Sequence, residues 1–369
     1  MAESLSSSPS GRAQFTAPMI ALIRRERAFS GLLLSGFVVA ALAYPHPQVA
    51  AWVGFLFAGY SAIANDSLQT IGTFLASNRD RRWWHLWLFI GGIFLLTSFY
   101  SWSHYDGDVS YGRLAAKGFE TAPREFVFLQ VAAPLFLLIL TRLRIPVSTT
   151  FLLLSCFASS ASGIGGVLTK SVAGYLVSFG VAFGVWLACS RFFARYFQGD
   201  AHPIWTALQW ATSGLLWSVW IMQDAANIAV YLPRSLSPLE YAGFASVVFL
   251  GLGALFWMGG DRIQDVVTEK SQLIDVRPAT VIDLVYALIL YVFKVQSNVP
   301  MSTTWVFVGL LAGREVAMNL RGTSEAGAKQ VAVMVFRDLG SVGFGLLVSL
   351  CLALAANEPF RNAFFLALQ

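Results

Sequence analysis

Asn65-Asp66-Ser67-Leu68-Gln69 and Pro146-Val147-Ser148-Thr149-Thr150 are polar islands in apolar sequence, and both have a counterpart further on. The second half carries Gln223-Asp224-Ala225-Ala226-Asn227, then Pro300-Met301-Ser302-Thr303-Thr304. The separations nearly match: Asp66 to Ser148 is 148 − 66 = 82, and Asp224 to Ser302 is 302 − 224 = 78. An acid flanked by amides, followed in register by a proline-led hydroxyl triplet, marks an internal duplication. Inside a membrane, such a duplication places a site between two repeats, the arrangement of secondary transporters.

The composition places the chain in a lipid bilayer. Of its 369 residues, 56% are hydrophobic and 12% charged, against about 25% charged in a soluble domain. The net charge of +5 reflects the flanks of membrane spans and needs no nucleic-acid partner. Cys156, Cys189 and Cys351 sit far apart in apolar sequence, so they read as small buried residues without disulfide or metal spacing. Enzyme signatures are missing: His46, His85, His104 and His202 are scattered, and no HExxH, CxxC or P-loop occurs. A non-enzyme without a cofactor is expected.

Apolar runs predict spans at roughly 29–44, 49–77, 83–101, 124–141, 146–168, 171–190, 204–232, 241–259, 279–296, 300–320 and 330–355. The two that hold the acid motifs are the longest, which predicts broken helices. With the N-terminus in the cytoplasm, Arg113, Lys117, Lys170, Arg234 and Arg361 fall outside, and Arg124, Lys294, Arg314 and Arg337 lie in or at spans. The remaining sixteen of the 25 Lys and Arg residues fall inside, as the positive-inside rule requires. The Asp66 span then runs inward and the Asp224 span outward, so the repeats are inverted if the Ser-Thr-Thr segments cross fully.

The expected fold is an all-α integral membrane protein of two inverted repeats of about five segments each, with broken or re-entrant helices. Residues 1–28 form a disordered or amphipathic tail, 29–44 an extra N-terminal helix, 49–195 the first repeat, 204–355 the second, and 356–369 a C-terminal tail. The polar loop Ser103 to Pro123 is expected to cover the outer face.

The chemistry of the motifs suggests a division of labour. Proline suits the first turn of a helix, and Ser or Thr caps free backbone N–H groups. A helix that begins at mid-bilayer offers hydroxyls, N–H donors and the positive end of a dipole, which suits a multi-oxygen anion. Ser148, Thr149, Thr150, Ser302, Thr303 and Thr304 are therefore candidate anion ligands. A single copy is better explained by hydroxyls that satisfy their own helix or bind a neighbouring one; two copies in register favour the anion site. Asp66 and Asp224 are costly at mid-span, by about 2.5–3.5 kcal/mol on the lenient scale. They either hold a sodium ion, with Asn65, Gln69, Gln223 and Asn227 as further oxygen ligands, or accept a proton-bearing phosphate. The second role separates phosphate from sulfate, which has no proton to donate at neutral pH. Lys170 and Lys329 read as vestibule or snorkelling cations, Lys294 as a cation that approaches the site from the outer side, Arg314-Glu315 and Arg337-Asp338 as structural pairs or gate elements, and Asp283 as a contributor to a cation site.

An Asn-Asp-x-x-Asn motif followed by Pro-x-Ser-Thr-Thr in each half resembles the inorganic phosphate transporter (PiT) family, over roughly residues 50 to 355. The stretch Gly260 to Gly309, with a charged loop, Asp283 in an apolar helix and the second triplet, resembles that family's second half. The family's His after the Thr pair is replaced by Phe151 and Trp305, and each acid motif keeps one of two Asn residues. The resemblance implies a symporter of an inorganic oxyanion, phosphate first, coupled to Na+ or H+, working by alternating access in a bacterial inner membrane, with a homodimer as the assembly. The alternatives are a sulfate or small organic anion permease on the same fold, or a non-transporting membrane sensor.

Overall fold

A computed structural model describes residues 27–143, 145–158, 161–257, 275–296, 302–324 and 326–366. The 1–26 part of the tail, the charged loop at 258–274, Pro300 and Met301 lie outside it, as do the side chains of Lys170 and Lys294. Helices account for about four fifths of the described residues, and no strand occurs among them. The first half contains α1 (Arg27–Ala43), α2 (Pro47–Thr70), α3 (Gly72–Ser77), α4 (Trp83–His104), α5 (Arg113–Ala116), α6 (Phe128–Arg142), α7 (Thr149–Ser155) and α8 (Ala161–Tyr196). The second contains α9 (Ile204–Ala229), α10 (Pro238–Trp257), α11 (Val276–Leu290, continued by a π-helical Tyr291–Gln296), α12 (Thr303–Leu320), α13 (Ala328–Ala356) and α14 (Glu358–Leu366).

Six stretches among the described residues are long and apolar enough to cross a membrane: Pro47–Asp66, Trp83–His104, Ser171–Tyr196, Pro238–Trp257, Val276–Phe293 and Ala328–Ala356. Large apolar side chains on these helices stand exposed, among them Leu96, Leu176, Leu250 and Phe336. Exposed leucine and phenylalanine along helices whose polar residues are buried is the pattern of a lipid-facing surface.

The structure departs from the expected segments in two places. The predicted span 146–168 is not one helix. It consists of the seven-residue α7, a break after Cys156, and the beginning of the 36-residue α8, which absorbs the predicted 171–190 span. Asn357, from the start of the last helix, donates to the carbonyls of Ser155 (2.9 Å) and Ala158 (2.7 Å), and Gln130 Nε2 donates to that of Cys156 (2.9 Å). A helix end needs partners for its last carbonyls, and in lipid each orphan costs several kcal/mol. Two distant amides supply them here. The second departure concerns the acid helices. The first is broken as expected, at Ile71, where Thr70 Oγ1 has bonded the Asp66 carbonyl (2.8 Å). The second, α9, runs unbroken through its motif.

Other contacts fix the halves on each other. Pro134 inside α6 has no N–H for the Gln130 carbonyl. The Tyr231 hydroxyl, from the second half, donates to that carbonyl instead (2.8 Å). Gly54 makes room, since a Cβ there would lie 2.3 Å from the Tyr231 ring. The α8–α12 pair packs backbone to backbone, with Gly309 on the Tyr175 carbonyl and Gly313 on that of Phe179. This is the small-residue contact of membrane helices. At one end of the molecule Arg234 donates to the carbonyls of Phe119 (2.8 Å), Thr121 (3.0 Å) and Leu232 (2.8 Å). At the other, Asn78 Nδ2 donates to Gln209 Oε1 (2.9 Å) and Trp210 Nε1 to Asn78 Oδ1 (3.0 Å).

Candidate functional site

The two Ser-Thr-Thr signatures begin helices, and in each it is the serine that caps. Ser148 Oγ accepts from the Phe151 N–H (3.1 Å) and Ser302 Oγ from the Trp305 N–H (3.4 Å). Both serines stand in extended backbone just before their helices. Their oxygens satisfy their own helix ends, as the simpler explanation of a lone copy requires. The threonines are left to reach outward.

They reach the acids. Thr149 Oγ1 donates to Asp66 Oδ1 (2.7 Å), and Thr150 Oγ1 donates to Asp224 Oδ1 (3.2 Å). One helix start from the first half thus engages the acid of each half. Asn65 Nδ2 donates to Asp66 Oδ1 (2.7 Å), to Thr149 Oγ1 (3.2 Å) and to the Val147 carbonyl (3.2 Å), while Thr141 donates to Asn65 Oδ1 (3.1 Å). Asn227 Nδ2 repeats the pattern on the other acid, donating to Asp224 Oδ1 (3.1 Å) and Thr150 Oγ1 (3.0 Å). The second signature joins at the same carbonyl, Thr304 Oγ1 donating to Val147 O (3.0 Å). The backbone carbonyl of Thr303 accepts from the Tyr286 hydroxyl (2.9 Å). Asp66, Asp224, Asn65, Asn227 and both triplets are buried to within a few per cent. The halves are not equivalent: Thr149 and Thr150 of the first triplet bond carboxylates, whereas Thr304 of the second bonds a main-chain oxygen.

Gln69 and Gln223 complete the set in a different way. Among the described residues, Gln69 Oε1, Gln223 Nε2, Asn227 Oδ1 and, one turn from Asp224, Trp220 Nε1 are buried without a hydrogen-bond partner. Asn227 is oriented by its donation to a carboxylate, so its open atom is an acceptor. Buried polar atoms are nearly always paired, and each exception calls for a reason. Here there are two open acceptors, suited to a cation, and two open donors, suited to an anion.

Asp283 lies apart from this cluster. Its oxygens accept from the hydroxyls of Thr73 on α3 and Ser213 on α9. On the same helix, Tyr286 sits one turn further on, within electrostatic reach of Asp66 and Asp224. Arg314 pairs with Glu315 (2.8 Å), as its sequence position suggested.

The structure turns one basic residue inward on the side of Asp224. Arg113, on α5 in the loop after α4, is 7% exposed. Burial pulls its pKa below the usual arginine value, and the negative charge of Asp224 pushes it back up. In sequence it is one loop arginine among several, and nothing local distinguishes it. Among the described residues, no cluster of His, Cys, Asp or Glu has the makings of a transition-metal site. Compared with family models, curated proteins and solved structures, the chain matches none.

Proposed function

We propose that this protein is a secondary transporter of an inorganic oxyanion, phosphate first, coupled to sodium ions or protons by alternating access. The observation that carries the proposal is the convergence of both acid motifs and both hydroxyl signatures on Val147–Thr150, with Thr149 on Asp66, Thr150 on Asp224 and Thr304 on the Val147 carbonyl. Residues from two halves of a membrane-embedded chain share one buried polar centre, where polar groups are expensive unless they serve something. The open amide atoms divide by sign. Gln69 Oε1 and Asn227 Oδ1 add open acceptors beside the carboxylates, the oxygen set sodium favours, while Gln223 Nε2 and Trp220 Nε1 are open donors for an oxyanion, which the threonine hydroxyls can serve once they leave the carboxylates.

The resemblance to the inorganic phosphate transporter family supports the same assignment through the same residues. Phosphate is preferred to sulfate because a protonated phosphate oxygen can donate to Asp66 or Asp224, whereas sulfate can only be repelled. The basic-residue bias supports a cytoplasmic N-terminus and, with it, inverted repeats; a bacterial inner membrane and a homodimer follow from the resemblance alone.

The test is uptake of labelled phosphate into proteoliposomes, with sodium and proton gradients varied separately and sulfate as competitor. Gradient-driven accumulation supports the proposal. Absence of accumulation under either gradient, with both anions, removes it. Asp66→Asn and Asp224→Asn then assign the roles. Lost cation dependence with intact selectivity marks a cation ligand, and relaxed phosphate-to-sulfate discrimination marks an anion ligand.

A further inference from the structure

The loop between α4 and α6 folds back into the protein and delivers a charge. Asp108 accepts from the Ser110 N–H (2.7 Å), the Ser110 hydroxyl (2.9 Å) and the Gly112 N–H (2.6 Å). The Tyr111 N–H is held by Ser101 Oγ (3.0 Å) and its hydroxyl by the Thr97 carbonyl. Gly112, at φ 69°, turns the chain into α5 in a conformation that glycine adopts without strain. Arg234 clamps the far limb of the loop at Phe119 and Thr121. Arg113 and Leu114 are consequently buried, and α5 packs on α9, the helix that carries Asp224 five residues before its end at Ala229.

Burying a guanidinium is costly unless an opposite charge and hydrogen bonds compensate. A loop with several anchors that holds an arginine inside, beside a helix with a buried acid, is built to place that charge. Its planar fork of donors matches the edge of a tetrahedral oxyanion better than any lysine would.

We propose that Arg113 is a ligand of the transported oxyanion, and that it alternates between Asp224, when no anion is bound, and the anion itself. This deepens the transport assignment and rests on it. When an anion takes over the guanidinium, Asp224 loses a cationic neighbour, and its charge becomes available to the coupling cation. Linkage makes the effect mutual: a cation at Asp224 releases Arg113 to the anion by the same factor. Anion and cation then bind together because one arginine cannot serve two partners.

The experiment measures sodium and phosphate binding to the purified full-length protein, each with and without the other, for wild type, Arg113→Gln and Arg113→Lys. Wild type should bind sodium at least about tenfold more tightly when phosphate is present, the size of a charge-assisted hydrogen bond. Arg113→Gln should lose about tenfold or more in phosphate affinity and bind sodium without phosphate as tightly as wild type does with it. Arg113→Lys should keep the linkage and bind phosphate more weakly than wild type. Loss of the arginine leaves Asp224 buried without that charge, which disfavours folding of Arg113→Gln; Arg113→Gln/Asp224→Asn removes both charges and provides a second reading. It should be more stable than the two single losses combined. Wild-type phosphate affinity and unchanged linkage in Arg113→Gln, or strict additivity in the double variant, overturns the inference while leaving the transport assignment standing. A wild-type protein that responds to neither phosphate nor sulfate overturns the assignment and the inference with it.

Discussion

Gly313→Ala tests the packing on which the central site depends. A Cβ at Gly313 would lie 2.2 Å from the Phe179 carbonyl oxygen, and one at Gly309 would lie 2.4 Å from that of Tyr175. A carbon–oxygen contact needs about 3.3 Å, so α8 and α12 must part by roughly 1 Å at Gly313. The obstacle is main chain on a helix, and no rotamer change removes it. Alanine is the better helix former by about 1 kcal/mol, whereas overpacking of this kind costs about 1–3 kcal/mol. With backbone on both sides the cost belongs at the upper end, and the net effect is destabilising by about 1–2 kcal/mol. Gly180 in α8 and Gly340 in α13 have nothing within 4 Å of an added Cβ, so alanine there should be neutral or stabilising. Thermal midpoints in detergent, read by fluorescence-detected gel filtration, separate the two groups. Because α12 also carries Thr304 to the Val147 carbonyl, the same variant should impair substrate binding. A Gly313→Ala midpoint equal to or above those of the two controls would refute the reasoning.

Thr149→Val and Thr150→Val remove hydroxyls that donate to carboxylates at 2.7 and 3.2 Å; a bond to a charged group contributes about 1.5–3 kcal/mol. Apparent phosphate affinity in the uptake assay should fall about tenfold or more in each as the anion loses a hydroxyl donor, and unchanged affinity in both counts against the site. Ser148→Ala should act differently, destabilising by about 1 kcal/mol through a lost cap while leaving the phosphate-to-sulfate ratio as it was; a changed ratio would make the serine a ligand. Arg234→Gln should free the limb of the loop it clamps, so that trypsin cleaves after Lys117 several-fold faster than in wild type, and equal cleavage rates would show that the other anchors suffice. Asn357→Leu should uncap α7 from a distance and lower the thermal midpoint, whereas Asn357→Gln should retain part of it; a tolerated leucine would mean that Gln130 alone satisfies the helix end.

The sequence carried the helical character and the composition of the site, and for different reasons. Long apolar runs can hardly form anything but helices in lipid, so the spans around Trp83–His104, Pro238–Trp257 and Ala328–Ala356 were legible within a few residues. The polar residues of the acid motifs and triplets stood out because they are costly there, and the structure brings most of them together. The end of α7 was not legible. The apolar run continues past Ser155, and what stops the helix is Asn357 and Gln130, which arrive from other helices. The bond from Tyr231 to the carbonyl freed by Pro134 is hidden in the same way. Arg113 was missed because a loop arginine has no periodicity to betray which way it faces. The pairing within the site also differs from the symmetric one that duplication suggests, since the first triplet bonds both acids.

That pairing has a mechanical consequence. Thr149 and Thr150 are adjacent residues on a helix of seven, so they move as one rigid piece about 10 Å long. Each holds a carboxylate from a different half of the chain. Any slide or tilt of α7 changes both distances in the same instant, and neither can be adjusted without the other. Two charges that are remote in sequence thereby become a single degree of freedom, with the amides of Gln130 and Asn357 as the hinge pins at its far end.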